Sequence, residues 1–231
     1  MTSSSENQNR AALVTGGSSG IGLAIARVLA GEGFSLTLVS RTKEKVEAAA
    51  AELAAHPIAA DLSSPDGCAP VVPAHIARWG RLDVLVNSAG IGIGGNVEQL
   101  AIERAGLQIA VNLGAVYIVT QASIPHLRKT RGLIVNIASI AGTIPTPGIA
   151  MYGATKAAVI ALTRSLNGEL EGDGIRVTAI SPGFVDTRMT DWTGIPGEEM
   201  IQPEDCAEIV RLLLRLSPRA RVPNVVVERL A

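Results

Sequence analysis

Tyr152-Gly-Ala-Thr-Lys156 opens a long segment of helical period. Positions i and i+4 of a helix share one face, so the phenol and the ammonium can point into one site. An unperturbed tyrosine ionises near ~10, and a neighbouring lysine charge stabilises tyrosinate and lowers that value. A tyrosine brought toward working pH can donate a proton to a carbonyl oxygen or take one from an alcohol. Alone, this spacing is common, and most occurrences are a half-buried tyrosine beside a surface lysine. Other residues bear on it. Ser139, in IVNIASIAG at 134–142, follows an apolar run and can set its hydroxyl against a carbonyl, although a serine in a small-residue loop needs no such role. Asn112, in IAVNLGAVY at 109–117, interrupts an apolar helix. Its amide must be satisfied by backbone carbonyls or hold a water, and by itself it reads as structural. In SPGFVDTRM at 181–189, Pro182-Gly183 breaks a strand. The backbone of Val185 and the Thr187 hydroxyl could then bind a carboxamide, with a plain proline turn as the alternative.

A second set of residues suits phosphate. TGGSSGIG at 15–22 joins an apolar run to an amphipathic helix, and Gly16, Gly20 and Gly22 leave no side chains where backbone must approach a pyrophosphate. The start of that helix offers free N–H groups and the positive end of its dipole. The GxxxGxG spacing differs from the usual GxGxxG dinucleotide fingerprint. A further cluster, SAGIGIGG at 88–95, reads equally as a flexible loop or as ligand contact; direct continuation from a strand favours contact for Asn87, Ala89 and Gly90. About 20 residues beyond the first glycines, NAD sites place an acid for the ribose 2′-hydroxyl. Here Val39-Ser40-Arg41-Thr42 has none. Arg41 can hold a 2′-phosphate and Ser40 can add a donor, so the residues favour NADP(H). The alternative is a solvated arginine beside a Thr42 helix cap. Asp61-Leu62 closes the third strand, and Asp61 reads equally as an acceptor for an adenine amino group or as the cap of a helix near Ser64.

The elements that must position these groups follow from pattern. Apolar runs at Ala11–Val14, Ser35–Val39, Pro57–Ala60, Leu82–Val86, Leu133–Ile137, Arg176–Ile180 and Asn224–Val227 alternate with helical segments. The helices are expected at 20–32, 43–54, 66–78, 98–110, 112–128, 152–171 and 203–216. Continuously apolar strands imply a sheet covered on both faces, and strand–helix alternation implies right-handed crossovers. The expected fold is α/β, a doubly wound parallel sheet in three α/β/α layers, with ligands at the carboxyl ends of the strands. Residues 1–10 read as a loose tail and 11–231 as one domain.

Composition narrows the function classes. The chain has 47% apolar and 18% charged residues and a net charge of −1. That suits a large core and gives no electrostatic case for nucleic acid or an anionic membrane. Cys68 and Cys206 lie in no metal spacing and read as reduced thiols. His56, His75 and His126 form no ligand set, read as surface or helix-flank residues, and no metal site is expected. No apolar run approaches the ~20 residues of a membrane span. The chain reads as soluble and cytoplasmic.

Together, TGGSSGIG, NSAG, the Asn112/Ser139/Tyr152/Lys156 set and PGFVDT resemble, in order and spacing, the shorter, single-domain branch of the short-chain dehydrogenase/reductase family, members like 3-oxoacyl-carrier-protein reductases. The likeness covers about residues 10–216. It implies a Rossmann-type, seven-stranded parallel sheet in the order 3-2-1-4-5-6-7. It implies Tyr152 as acid/base, Lys156 lowering its pKa and binding the nicotinamide ribose, Ser139 polarising the carbonyl, and Asn112 holding a relay water. Gly16, Ser18, Ser19, Ile21, Asp61, Leu62, Asn87 and Thr187 match cofactor-contact positions, and VSRT at 39–42 resembles NADP-preferring members. The implied activity interconverts a carbonyl and an alcohol. A cofactor-binding sensor or scaffold without turnover is the rival, disfavoured because such a protein needs the phosphate turn but not Tyr152. A homodimer or homotetramer through the Asn112 and Tyr152 helices is expected by analogy.

Three departures stand out. Ser88 replaces an asparagine, which implies a minor packing change. The segment from Asp186 to Gln202 is short and carries Trp192, Gly194 and Gly197, which suits an open site or a brief lid. The ending NVVVERLA lacks the glycines common in relatives, which puts subunit contacts from the last strand in doubt. An apolar pocket is expected from Ile91, Ile93, Ile140, Thr143, Ile144, Pro145, Ile149, Phe184 and Trp192.

Overall fold

A computed structural model describes residues 10–230. The seven apolar runs form strands β1 (Ala11–Thr15), β2 (Ser35–Ser40), β3 (His56–Ala59), β4 (Val84–Asn87), β5 (Leu133–Ile137), β6 (Arg176–Pro182) and β7 (Asn224–Val227). All pair in parallel, in the order 3-2-1-4-5-6-7. Successive side chains of a strand point to opposite faces. Accordingly Ala12 and Val14 lie in one core cluster, with α1 (Gly20–Gly31), α2 (Lys43–Leu53) and α8 (Pro203–Arg215). Leu13 lies in the other, with α4 (Val71–Trp79), α6 (Ala115–Thr130) and α7 (Ala150–Glu169). Each fully buried Leu or Ile, such as Leu13, Ile25 and Leu85, contributes about 1.5–3 kcal/mol. This is the doubly wound Rossmann-type architecture, built around two apolar layers.

Two expectations about the helices are corrected. The 66–78 helix is two pieces, α3 (Pro65–Cys68) and α4. Pro70 stands between them, and its ring and missing N–H do not continue a helical ladder. As the sequence suggests, β6 ends at Pro182-Gly183, two residues beyond the expected Ile180, and the Gly183 N–H donates to Val227 O at 2.8 Å. The 98–110 and 112–128 helices are one rod of 29 residues, Ile102–Thr130. It comprises α5 (Ile102–Ile109), a π-helical turn (Ala110–Gly114) and α6.

By length and hydropathy that rod could cross a membrane, which the two separate segments did not suggest. It carries buried Gln108, Asn112, Thr120 and Ser123 and packs Ala115, Val119 and Leu127 into the core beside the sheet. It is a core helix. The tail expected at 1–10 falls on residues outside those described except Arg10, whose guanidinium donates to Glu32 O and lies 4.2 Å from the Phe34 ring centroid.

Candidate active site

The carboxyl ends of β1, β4 and β5 finish level. Thr15 is in register with Asn87, and Asn87 with Asn136. This polar row ties the strand ends together. The Asn87 amide donates to Thr120 Oγ1 (3.1 Å) and Asn136 Oδ1 (2.9 Å), and Asn136 donates to Thr163 Oγ1 (2.9 Å). Thr15 Oγ1 accepts from the Ser88 and Ala89 N–H groups, both at 3.2 Å. Asn87 therefore uses both of its N–H donors inside the protein, where the sequence suggested ligand contact. Thr15, Thr120, Asn136 and Thr163 escaped the sequence reading. The available signal was polar residues inside otherwise apolar runs.

The glycine turn stands where expected, between β1 and α1. Gly16 has φ +66° and Gly20 φ +51°, left-handed conformations that favour glycine. A Cβ on Gly16 would stand 2.8 Å from the Ala89 N, and one on Gly22 would stand 2.3 Å from Gly16 O. Ser19 caps α1 with no side-chain hydrogen bond, and the first turn holds no acidic residue. The N–H groups of the first turn have no intrahelical acceptor, so Ser19, Gly20, Ile21 and Gly22 present a positive end with no competing anion. Ser18 is partly buried beside them. Thr187 closes over this turn: its Cγ2 would lie 3.0 Å from a Gly20 Cβ.

At the β2 end, Arg41 is exposed and makes no ion pair among the described residues. Its charge helps to hold the Asp61 carboxyl below the usual range, after the larger effect of the Ser63 hydrogen bonds. Asp61 Oδ1 accepts from the Ser63 N–H at 3.0 Å, whereas the cap of α3 is Ser64, whose Oγ accepts from the Gly67 N–H. The helix-cap reading of Asp61 is thus corrected. Thr42 is the N-cap residue of α2 without a side-chain bond, and the Ser40 hydroxyl donates to its carbonyl at 3.3 Å. Leu62 is buried in the core and can offer a ligand only its backbone.

The catalytic candidates converge at the β4 and β5 ends. Around Gly90, a Cβ would stand 3.4 Å from Asn112 Oδ1 and 3.5 Å from Lys156 Nζ. Lys156 is buried and donates to Ile137 O at 2.7 Å; its Nζ lies 5.7 Å from the Tyr152 ring centroid. An ammonium carries three donors, so Lys156 keeps two for a ligand. Burial pulls its pKa down to about 8. Burial also pushes the Tyr152 phenol above the ordinary tyrosine value, against a hydrogen bond with Ser139 that pulls it down. In the chain alone Tyr152 is therefore not shifted downward by Lys156, because desolvation dominates. A protonated phenol is the form that acts as an acid.

Ser139 is buried at the head of a short 3₁₀ turn (Ile140–Gly142), where its Oγ accepts from the Ala141 N–H at 3.2 Å. Two glycines let this turn lie on α7. A Cβ on Gly142 would stand 2.6 Å from the Lys156 carbonyl carbon, and one on Gly153 would stand 2.7 Å from Ala141 O. Neither glycine was singled out from sequence, because close approach is invisible until the two segments meet.

Asn112 occupies the π-helical turn, a distortion frequent at functional sites. Its Oδ1 accepts from the Ile91 N–H (2.8 Å), and its Nδ2 donates to Ile91 O (2.9 Å) and Thr155 Oγ1 (3.2 Å). Both donors are used, which supports the structural reading; only Oδ1 keeps a lone pair for a water. Thr155 donates in turn to Tyr152 O at 2.7 Å, another link missed from sequence.

The 182–202 segment is anchored at its base. Val185 bridges Ile201, its carbonyl accepts from Thr190 Oγ1 (2.6 Å), and its N–H is left for a ligand. Gln202 Nε2 donates to Gly197 O and Met200 O. Trp192, 70% exposed, meets Phe184 edge-to-face at 6.3 Å between centroids. Thr143, Ile144 and Pro145, expected in the substrate pocket, line a groove of about 490 Å³ against Ala150, Gly153, Ala154 and Ala157 of α7, with Tyr152 not in its lining. His75 is fully buried, contrary to expectation: its ring bonds Thr37 Oγ1 and Arg81 O, both at 2.9 Å. Among the described residues no cluster could hold a metal ion.

The fit of these parts to a dinucleotide rests on the α1 terminus, where Ser19 makes no side-chain capping bond, the close-packed glycine turn and the two unused Lys156 donors, which suit ribose hydroxyls. A family model described as short chain dehydrogenase matches residues 10–194. An uncharacterized oxidoreductase of Staphylococcus epidermidis is 37% identical over 223 residues, covering 95% of this chain and 97% of that one. The structure of an alcohol dehydrogenase from the archaeon Thermococcus sibiricus, complexed with 5-hydroxy-NADP, is similar with a TM-score of 0.88 at 33% identity, over 94% of this chain and 95% of that one. A 3-ketoacyl-(acyl-carrier-protein) reductase from Brucella melitensis, complexed with NADH, gives 0.87 at 31% identity over 96% of each chain. By the extent of the family match, the chain belongs to the short chain dehydrogenase family of oxidoreductases.

Proposed function

We propose that the protein is an NADP(H)-dependent oxidoreductase that interconverts a ketone or aldehyde and its alcohol. The observation that carries the reading is that Asn112 and Lys156 meet at Gly90, with the Tyr152 ring 5.7 Å from Lys156 Nζ and Ser139 acting on the Tyr152 phenol, one strand from the glycine turn. The nicotinamide, when bound, supplies the hydride. In the direction of reduction, Ser139 orients the carbonyl oxygen and Tyr152 Oη donates its proton to it; oxidation reverses the proton's path. Lys156 binds ribose hydroxyls with its two remaining donors. Ser18, Ser19, Gly20 and Ile21 bind the pyrophosphate, and Arg41 the 2′-phosphate, since residues 39–42 after β2 carry no acid for a ribose 2′-hydroxyl. Pro182, Gly183, Val185 and Thr187 flank the nicotinamide end. The 5-hydroxy-NADP of the archaeal structure supports the NADP(H) assignment; the NADH of the Brucella reductase shows that this fold accepts either.

The test is NADPH oxidation over a panel of ketones, 3-oxoacyl esters and quinones, with NADH as control and beside Tyr152→Phe. Turnover that falls by about 10²–10⁴ in the variant and weakens with NADH is expected. Tight NADPH binding without turnover on the whole panel would overturn the reading in favour of a sensor.

A further inference from the structure

One contact joins the loop after β4 to the segment after β6 directly beside Tyr152. A Cβ built on Gly92 would stand 3.4 Å from both Cγ and Sδ of Met189, and 4.0 Å from Cε2 of Tyr152. Cε2 neighbours the carbon that bears the phenol oxygen, so this gap flanks the place where a reacting carbonyl must sit.

The two sides of the gap differ in stiffness. Ile91 is fixed through both its N–H and its carbonyl to Asn112, and the Ile93 N–H donates to Gln108 Oε1 at 3.1 Å. Gln108 and Asn112 are one helical turn apart and both buried, so they hold the strap at two points with Gly92 between them. Gln108 acts as a positioning residue here. Opposite, Met189 is 41% exposed, unbranched, and borne on a segment tied down mainly at its base. A thioether adapts to what lies against it. No ionisable side chain occurs from Ile91 to Gly95, so contact there is apolar.

We propose that Gly92 and Met189 form a size gate beside Tyr152 that selects carbonyl compounds with one small substituent, such as methyl ketones. The inference rests on the oxidoreductase reading. The small substituent lies in the gap between Gly92 and Met189, and the larger one extends toward Phe184 and Trp192. A longer group in the gap must displace the Met189 thioether.

Isomeric ketones isolate this effect, because they share composition and hydrophobicity. The experiment measures kcat/KM with NADPH for pentan-2-one against pentan-3-one and heptan-2-one against heptan-4-one. The enzymes are wild type, Met189→Ala and Gly92→Ala. Wild type favours the methyl ketone of each pair; Met189→Ala lowers that preference about tenfold for the heptanones, and Gly92→Ala, which adds a methyl to the gap, raises it. Melting temperatures confirm folding, and the glycine variant tests the gate even where the methionine variant is unstable. Preferences that stay unchanged in both variants overturn the gate. So does an equal loss on both isomers in Met189→Ala, which would make Met189 a packing residue. Turnover of other carbonyls but of no isomer, in wild type and Met189→Ala alike, also overturns it. Absence of turnover on any carbonyl overturns the oxidoreductase reading itself, and the gate with it.

Discussion

Gly142→Ala tests whether backbone contact between the Ser139 turn and α7 sets the geometry of the site. A Cβ at this position would stand 2.6 Å from the Lys156 carbonyl carbon, 2.7 Å from the Ala157 N and 2.9 Å from the Lys156 O. All three are backbone atoms of one helix, so none can swing aside. Restoring even a tight 3.4 Å to the nearest requires the turn and helix to part by about 0.8 Å. Ser139 rides on the turn, and Tyr152 and Lys156 ride on the helix, so that motion draws the Ser139 hydroxyl away from Tyr152 and Lys156. Overpacking of this kind costs about 1–3 kcal/mol of stability, and misplacement of reacting groups by ~1 Å costs up to ~10²-fold in rate. The expected variant melts several degrees lower and loses kcat/KM by about 10- to 100-fold. NADPH affinity changes far less, because the phosphate turn stands on β1 and α1. Gly172→Ala is the control, since a Cβ there meets nothing within 4 Å. A Gly142→Ala enzyme with wild-type melting and kcat/KM within about twofold would refute the reasoning.

Arg41→Ala removes the charge proposed to hold a 2′-phosphate, and a charge-assisted bond is worth about 1.5–3 kcal/mol. The ratio of kcat/KM for NADPH over NADH therefore falls by about 10-fold or more, and an unchanged ratio would exclude Arg41 from cofactor choice. Burial lowers His75 from 6.5 to about 4, so between those values the unfolded chain binds the proton and the folded chain does not. Stability present above pH 6.5 is lost as pH falls, by about 2 kcal/mol between pH 7 and 5, and urea melts of His75→Gln should show a flatter slope in that window. Exposed Ile102, Leu107, Ile109 and Tyr117 on the long rod, with Ala154, Ala157 and Ala161 on α7, suit a homodimer or homotetramer. Light scattering at micromolar concentration should give a multimer, and a monomer mass would contradict this.

What the sequence disclosed and what it concealed divide along a physical line. Strands read well because burial on both faces demands unbroken apolar runs: Leu133–Ile137 and Asn224–Val227 match to the residue. Tyr152, Lys156, Ser139 and Arg41 could be singled out because few residue types can move a proton or hold a phosphate. Failures began where meaning depends on a distant partner. His75 looked like a surface residue until Thr37 and Arg81 came within 2.9 Å of its ring. The inner hydrogen bonds of Asn87 were equally hidden, because Thr120 and Asn136 take its two N–H donors only in the fold. The 66–78 helix divides for a local reason, since the apolar period continues across Pro70 while the Pro70 ring interrupts the ladder.

The residues that set the distances between the reacting groups were the hardest to see. Gly142, Gly153 and Thr155 belong to common residue types with no chemical signature of their own, yet they fix how closely Ser139, Tyr152 and Asn112 approach. Gly92 illustrates the same point at the substrate. In sequence it is one glycine of four in SAGIGIGG, a run that suits flexibility. In the fold, Asn112 and Gln108 immobilise its neighbours, and its missing side chain becomes the space a substrate can use. Reading such positions requires asking what a Cβ would strike, and that question has an answer only once the chain is folded.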